Sequence, residues 1–506
     1  MKSSAQSVLV LVAIVLGFNA CATTFYVDAG NAAPAAPFTN WPTAATDIQS
    51  AIDAATDGDL ILVTNGVYGT GGRVVYGALT NRVVINKAVT MQSVNGQQLT
   101  MISGGTQMRC VYAASNSGLS GFTLTNGNTL TTGDLVNEES GGGVWCESSS
   151  VVISNCVLVG NNAKHGGGAF RGTLTFCILS NNYASIYASD GVGGGGMFLG
   201  VANNCLFSAN RAAYGGGAAS NILNNCILEH NAALTGGGGV AGSTLNNCLL
   251  FANTCAAAGG GAFQSTLNNC TIVTNYANGG CGVYQCTLNN CISYYNYGGA
   301  SPNYAGSTLN YCCTTPLPSG IANFTNEPLF VNLTNDFHLQ SNSPCVNAGN
   351  NSYISKTNDF DGNPRIVGGT VDVGAYEFQT PASLLSYAWI AWAQQYGLPT
   401  NGSAYEVDSD GDGMNNWQEW IAGTNPTNAA SFLQMLSATN SVSGTTKVTW
   451  QSVSGRTYYL QRSTNLAMQP AFSSIQSNIV GQANTTSFWV ATPTNGNSFF
   501  YRVGVQ

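Results

Sequence analysis

Charge is what this sequence has least of. Asp, Glu, Lys and Arg make up 7% of its 506 residues, against about 25% in an ordinary soluble protein. With 44% apolar residues the shortage does not read as disorder, which needs low hydrophobicity joined to high net charge. The chain is expected to fold. Lys and Arg number 14 against 22 Asp and Glu, for a net charge of -8, and no basic cluster occurs anywhere. That removes the electrostatic footing for nucleic acid or for an anionic membrane surface. Long apolar runs are missing too. The run at 8–18, behind Lys2, is too short to span a bilayer. It leads to the small-x-small stretch Ala20-Cys21-Ala22, so residues 1–22 are expected to be a signal peptide cut after Ala22. A lipidated Cys21 is the weaker alternative, with Phe18 and Asn19 as poor neighbours. A secreted or cell-surface protein is expected, with no transmembrane segment in the mature chain.

What the sequence does have is repetition. Aligned on Cys156, Cys177, Cys205, Cys226, Cys248, Cys270, Cys291 and Cys312, its intervals are 21, 28, 21, 22, 22, 21 and 21 residues. A period of 21–22 without helical patterning points to a solenoid. Three residues before each of these cysteines lies an apolar residue, such as Ile153, Leu174, Leu223 or Leu245; five after lies Asn161, Asn182, Asn210, Asn231, Asn253, Asn275 or Asn296. A glycine run, as at 215–217 or 259–261, closes most units. The cysteine and the residue two later can share one strand face, but the residue three earlier cannot. The chain must bend between them, at pairs such as Asn224-Asn225 and Asn246-Asn247, because Asn tolerates left-handed backbone angles. Each unit is thus one coil of a parallel β-helix. In-register thiols on parallel strands sit about 4.8 Å apart, beyond disulfide reach, so a column of buried free thiols is expected. Cys146, Cys255, Cys281, Cys286 and Cys345 lie off the column and are the better disulfide candidates. The stretch "TDIQSAIDAA" reads as a short amphipathic helix with Thr46 as N-cap, covering the open first coil.

The opening "FYVDAGN", the coils of the form "NCxL…N…GGG" and the later "DFHLQSNSPCVNAGN…DFDGNPRIVGGTVDVGAYEF" resemble bacterial exported right-handed parallel β-helix proteins of the pectin-lyase-like superfamily. More narrowly, they resemble those with a choice-of-anchor Q region. The resemblance implies the fold over roughly residues 24–379 and leaves activity open, since that fold serves lyases, hydrolases, binding proteins and adhesins. The whole reads as all-β. A β-helix with a helical cap at 23–379 includes the choice-of-anchor Q-like region at about 312–379. A helix and calcium loop follow at 380–430, and a small β-sandwich at 431–506.

The most specific motif is "DSDGDGMNNWQE" at 408–419. It matches the EF-hand-like pattern D-x-D-x-D-G-x5-E, in which oxygens at loop positions 1, 3, 5, 7, 9 and 12 wrap a hard cation. Asp408, Asp410, Asp412, the Met414 carbonyl, Asn416 and Glu419 are therefore expected to hold Ca2+. Alternating strands after Phe432 suggest the sandwich, with aromatic residues mainly in its core.

Catalysis on a polysaccharide needs paired carboxylates for hydrolysis or a base such as Arg or Lys for elimination. The coils offer one constellation. Arg211 falls six residues after its cysteine, Glu229 and His230 three and four after the next, and Lys164 and His165 in an earlier coil. Asp190 lies with Tyr183 and Tyr187 in the long unit. Together they would place an acid, bases and aromatic surface on one flank; the plainer alternative is an Arg211-Glu229 surface ion pair. Asp359, Asp361, Arg365, Asp372 and Glu377 are read as bracing the end cap through ion pairs and turns. The glycine runs lack the Lys-Ser or Lys-Thr of phosphate loops. The expected function is contact with an extracellular or cell-surface polysaccharide, with a lyase or glycoside hydrolase as alternative and an adhesive stalk as the second alternative.

Overall fold

The computed structural model describes residues 22–185, 193–334, 336–367, 369–379, 387–399, 404, 407–440, 444–465, 472–491 and 499–505, with backbone alone at 387, 388, 390 and 391. The expected signal peptide, apart from Ala22, lies outside these residues. The chain divides into two compact units, Met1–Phe378 and Gln379–Gln506.

The first unit is a right-handed parallel β-helix. One coil contains the strands Val152–Ser154, Val157–Val159, Asn162–Ala163 and Ala169–Phe170. The next begins at Thr173–Thr175, with Val152 beside Thr173 and Ile153 beside Leu174 in parallel register. Stacking turns the four strand positions into four sheets: a first of 12 strands, a second of 11, a short third of 7 and a fourth of 11. The middle residue of each first-sheet strand points inward, as do those of the second sheet. Ile153, Leu174, Leu223, Leu158, Leu179 and Leu228 are fully buried in one continuous core. At roughly 1.5 to 3 kcal/mol per buried side chain, one coil cannot offset the ordering of its 21 or so residues at about 1 to 2 kcal/mol each. Only the stack is stable.

The corner between first and second sheets lies at the second asparagine of each pair: Asn225, Asn247, Asn269 and Asn290 have φ between 51° and 52°. The cysteine that follows points inward, and successive rungs are joined by N–H to sulfur contacts, as from Cys226 N to Cys248 Sγ at 3.4 Å. The eight thiols form the expected buried column. The next corner is built by the inner asparagines. Asn231 Nδ2 donates to Asn253 Oδ1 at 3.0 Å and to Phe207 O at 2.9 Å, while its own oxygen accepts from Asn210 N and Asn210 Nδ2. The same pattern runs from Asn161 to Asn296. The glycine runs follow from close approach: a Cβ on Gly237, at φ 69°, would meet Val240 O at 1.9 Å, and one on Gly238 would meet Gly260 O at 2.4 Å.

Helix α1, Ile48–Ala54, buries Ile48, Ala51 and Ile52 in the core. Its N-cap is Asp47, whose carboxylate accepts from Ser50 N at 2.8 Å, and not the expected Thr46. Asp47 sits in the extended conformation one residue closer to the first helical turn. Lys87 Nζ closes the other end on the Ile52, Asp53 and Ala55 carbonyls.

The off-column cysteines Cys146, Cys255, Cys281, Cys286 and Cys345 carry no disulfide in this structure. Cys255 replaces alanine in a column with Ala233 and Ala277, Cys286 continues a serine column after Ser243 and Ser265, and Cys146 pairs with Ala113. Cys281 lies in one small cluster with Cys255, and Cys345 in one with Cys313.

Of the end region, only a short piece covers the last rung, where Cys312 N donates to Asn323 Oδ1 and Cys313 bridges Phe324. Residues 321–324 add a partial coil, and the rest lies along the side, over the outward face of the second sheet. The outward column there reads Ile178, Leu206, Ile227, Leu249, Thr271, Ile292, Cys313. It passes from 39% exposed at Ile178 to 4% at Leu249 and 0% at Cys313. Asn247 Nδ2 donates to Asn358 O at 2.7 Å, Asn290 exchanges two hydrogen bonds with Asn350, and Ala375 N donates to Thr271 Oγ1 at 3.0 Å.

In the second unit, α2 (Tyr387–Gln395) and α3 (Asn416–Ala422) meet through Trp389, Trp392, Trp417 and Trp420. Two three-stranded antiparallel sheets close on Val448, Trp450, Tyr458, Leu460, Ile479 and Val490. Not all of the aromatic residues are core: Trp489 is 56% exposed, with Lys447 Nζ 5.8 Å from its ring centroid.

Candidate functional site

The short third sheet makes a stripe on the outside of the coils. Its outward residues run, rung by rung, Asn162, Tyr183, Arg211, Ala232, Thr254, Tyr276 and Tyr297. Parallel register places them about 4.8 Å apart, and the Tyr276 and Tyr297 rings are 5.5 Å apart between centroids. At the head of the stripe a concavity of about 300 Å³ is lined by residues 128–131, Asn162, Ala163, Lys164, Tyr183 and Ser185. In its wall Lys164 Nζ lies 2.8 Å from Glu139 Oε2, the carboxylate buried and the amine one-third exposed. The sequence reading did not single out Glu139. It sits in the long coil between Phe122 and Cys156, 34 residues apart and stacked on successive rungs, where no repeat aligns it, so only folding shows its partner.

The structure sorts the remaining candidates. Arg211 is exposed on the stripe beside Tyr183. Glu229 and His230 stand one coil on but at the end of the second sheet, where Glu229 pairs with Ser208 and Phe251. His230 takes the left-handed corner at φ 54°, and its Nδ1 is 3.9 Å from the Glu229 carboxylate. Among the described residues no ion pair joins Arg211 to Glu229, because the His230 corner turns the two onto different faces. His165 does not reach the flank surface: it is 2% exposed and its ring lies 5.3 Å from Phe198. A solvent-facing base at that position is therefore corrected. Asp190 and Tyr187 lie outside the described residues.

Of the ion pairs and turns expected of the charged residues here, the structure shows the turn around Asp359 and an ion pair of Asp361 with His338, but none at Arg365 among the described residues. The Arg365 guanidinium, 1% exposed, donates to the carbonyls of Ala375, Asp372 and Gly374. Asp359 accepts from Asn363 N and Glu377 N, Asp372 from Asn347 N, and Glu377 from Val367 N and Asp372 N. These charges bond to backbone rather than to each other, since each faces a turn with free N–H or C=O groups. Burial, then the neighbouring Asp372, pushes Glu377 up to about 8. Asp361 instead meets His338, whose Nε2 is 2.6 Å from Asp361 Oδ2 and whose Nδ1 is 2.5 Å from Asp336 Oδ1. The ring rests 3.9 Å from the Tyr376 centroid. Burial lowers the His338 pKa, but the two carboxylates outweigh it and the net shift is upward. With both nitrogens engaged, the imidazole is a clamp and has no free lone pair for a base. The D-x-H of "DFHLQ" was the sequence signal.

In the second unit, carboxylate oxygens of Asp408, Asp410 and Asp412 lie within 4.8 Å of one another. Gly411 N and Gly413 N donate to Asp408, and Met414 N donates to Asp412. Asn415 caps α3 through a reciprocal pair with Gln418, which sets Asn416 and Glu419 against the loop. Asp410 Oδ2, Asp412 Oδ2, Asn416 Oδ1 and Glu419 Oε2 are all buried without a hydrogen-bond partner. Burial, then Asp410 and Asp412, pushes Glu419 up to about 7. Buried acceptors with no donors are costly alone and suit a cation. The donor set therefore fits a hard cation of the calcium type.

No known family model and no curated protein matches the chain. Among solved structures it is similar to the crystal structure of pectate lyase Pel9A, at 16% identity and a TM-score of 0.47, over 70% of this chain and 96% of that one. It is also similar to a rhamnogalacturonan lyase, at 12% identity and a TM-score of 0.38, over 69% of this chain and 96% of that one. A rice weevil pectin methyl esterase follows at 10% identity and a TM-score of 0.25, over 57% and 92% of the two chains. Identities this low carry no residue roles across.

Proposed function

We propose that this chain is an exported β-helix protein that binds an extracellular or cell-surface polysaccharide along the outward stripe of its short third sheet. The observation that carries the reading is the in-register row from Asn162 through Tyr183 and Arg211 to Tyr276 and Tyr297. An extended, repetitive ligand is matched by an extended, repetitive surface, with tyrosine faces for sugar rings and amide, guanidinium and hydroxyl groups for their oxygens. The test is binding to a panel of plant, algal and bacterial glycans by array and calorimetry. Tyr276→Ala with Tyr297→Ala is expected to weaken the best ligand at least tenfold; unchanged binding overturns the assignment of the stripe, and no binding to any glycan favours an adhesive stalk.

A second reading, a polysaccharide lyase or glycoside hydrolase, is favoured by the Lys164 amine held against the Glu139 carboxylate in the wall of the concavity. Reducing-end and unsaturated-product assays on the same panel separate it from binding alone. Turnover abolished by Arg211→Ala or Lys164→Ala establishes catalysis at this flank.

The loop 408–419 is assigned to Ca2+, held by Asp408, Asp410, Asp412, Asn416, Glu419 and the Met414 carbonyl. The four partnerless buried oxygens support this. The ion supplies positive charge that ties the loop to α3. Calorimetric titration is expected to give one site that Asp412→Ala removes; no heat with the wild type overturns it. Residues 312–379 are assigned to the choice-of-anchor Q class on the motifs quoted above.

A further inference from the structure

Two cysteines behave unlike the rest. Cys312 is the last rung of the thiol column and faces the core. Its neighbour Cys313 begins the strand Cys313–Thr314, in register with Ile292, and alternation turns it to the opposite side. It therefore faces the segment that crosses this side of the second sheet. Cys345 belongs to that segment. Both are fully buried, in one cluster with Ile292, Phe330 and Phe337, and the two thiols interact there, with Cys345 and burial raising the Cys313 thiol. Column thiols are held apart by the spacing of parallel strands, whereas Cys313 and Cys345 come from segments that are not paired in a sheet. Their approach is set by side-chain packing, so the strand spacing that keeps column thiols apart does not bind them.

We propose that Cys313 and Cys345 are joined by a disulfide in the exported protein, fastening the side segment to the last strand of the second sheet. The donor is a disulfide, either that of a thiol–disulfide oxidoreductase or glutathione disulfide. A thiolate of the pair attacks it and forms a mixed disulfide, and the second cysteine then displaces the donor's remaining thiol. Two S–H bonds are lost and one S–S bond forms between the cysteines, while the donor takes up two electrons and two protons as two thiols. Once the segment has closed, burial disfavours the thiolate and excludes the donor, so the exchange belongs to folding. The inference rests on export for its setting and is independent of the glycan reading.

The full chain is refolded in a glutathione redox buffer, denatured without reductant, alkylated and mapped by mass spectrometry. The expected result is a cross-linked peptide pair holding Cys313 and Cys345, 2 Da below the sum of the two reduced peptides (two hydrogens lost), with every column cysteine alkylated. Alkylation of both Cys313 and Cys345, or a link from either one to a column thiol, overturns the proposal. Limited proteolysis of the wild type gives a second reading that needs no variant to fold. Reductant is expected to speed cleavage within 316–344 at least fivefold, and an unchanged rate counts against the bond. Cys313→Ala with Cys345→Ala, where it folds, should be cleaved at the reduced rate with or without reductant; a rate that still responds to reductant overturns the assignment.

Discussion

The inner asparagine column of the coils and the acidic loop of the second unit both bury side-chain oxygens, neutral amides in the one and mostly carboxylates in the other, and satisfy them in opposite ways. In the column each amide oxygen accepts two N–H groups from the rung before, and each amide nitrogen donates to the rung after. In the loop Asp410, Asp412, Asn416 and Glu419 each keep a buried oxygen with no donor. Repetition explains the contrast: a residue stacked on its own copy always finds a donor where it needs one. A unique loop has no copy, and its charge must be balanced from outside.

The largest expected effect comes from breaking the column. Asn231→Leu strips the acceptor from Asn210 and the donor from Phe207 O, and at about 1 to 3 kcal/mol for each orphaned group the first unit should lose at least about 3 kcal/mol in denaturant unfolding. A loss below about 1 kcal/mol would mean the column contributes nothing special. Next is the loop. Ca2+ at a hundredfold excess over its Kd should stabilise the second unit by about 2.7 kcal/mol, read through Trp417 and Trp420 fluorescence during unfolding. Glu419→Gln should remove that gain while raising stability in chelator, because it relieves the repulsion from Asp410 and Asp412.

The side segment lies between these extremes, since its buried carboxyls have backbone donors but too little positive charge. Glu377, at about 8, stands above its ordinary 4.5, so the stability it contributes is complete below 4.5 and lost as pH rises through 8. The raised His338 acts in the same direction, complete below 6.5 and lost above its shifted value. Asp336, lowered by its bond to His338, opposes this only below its ordinary 3.8. Hydrogen-exchange protection across 336–378, taken relative to the intrinsic rate at each pH, should therefore fall between pH 5 and pH 9, with a weaker trend in His338→Gln. The smallest effect is expected on the stripe: Arg211→Ala should change stability by no more than about 0.5 kcal/mol, so that any effect on glycan binding is read without a folding loss.

What the sequence made legible was whatever it repeated. The Cys, Asn and Leu positions and the left-handed corners recur, and each copy confirms the next, so the coil and its inward face are legible from the residues alone. The convergence of Asp408, Asp410 and Asp412 was legible because their spacing is local. The side placement of 316–378 was not, because it depends on contacts such as Asn247 with Asn358, 111 residues apart and outside the repeat. For the same reason the Glu139 partner of Lys164 and the burial of His165 had no local mark, and the exposed Trp489 alternates with core residues as regularly as a buried one would.

Register also survives an interruption. The interval from Cys177 to Cys205 is seven residues longer than its neighbours, yet Thr173 still pairs with Val201 and Tyr183 with Arg211. Such a scaffold can lengthen by duplicating a coil, gaining reach in steps of about 4.8 Å, and can acquire new surface chemistry by splicing residues between strands. Neither change asks the existing rungs to be redesigned, which makes the fold a ready substrate for evolutionary tinkering.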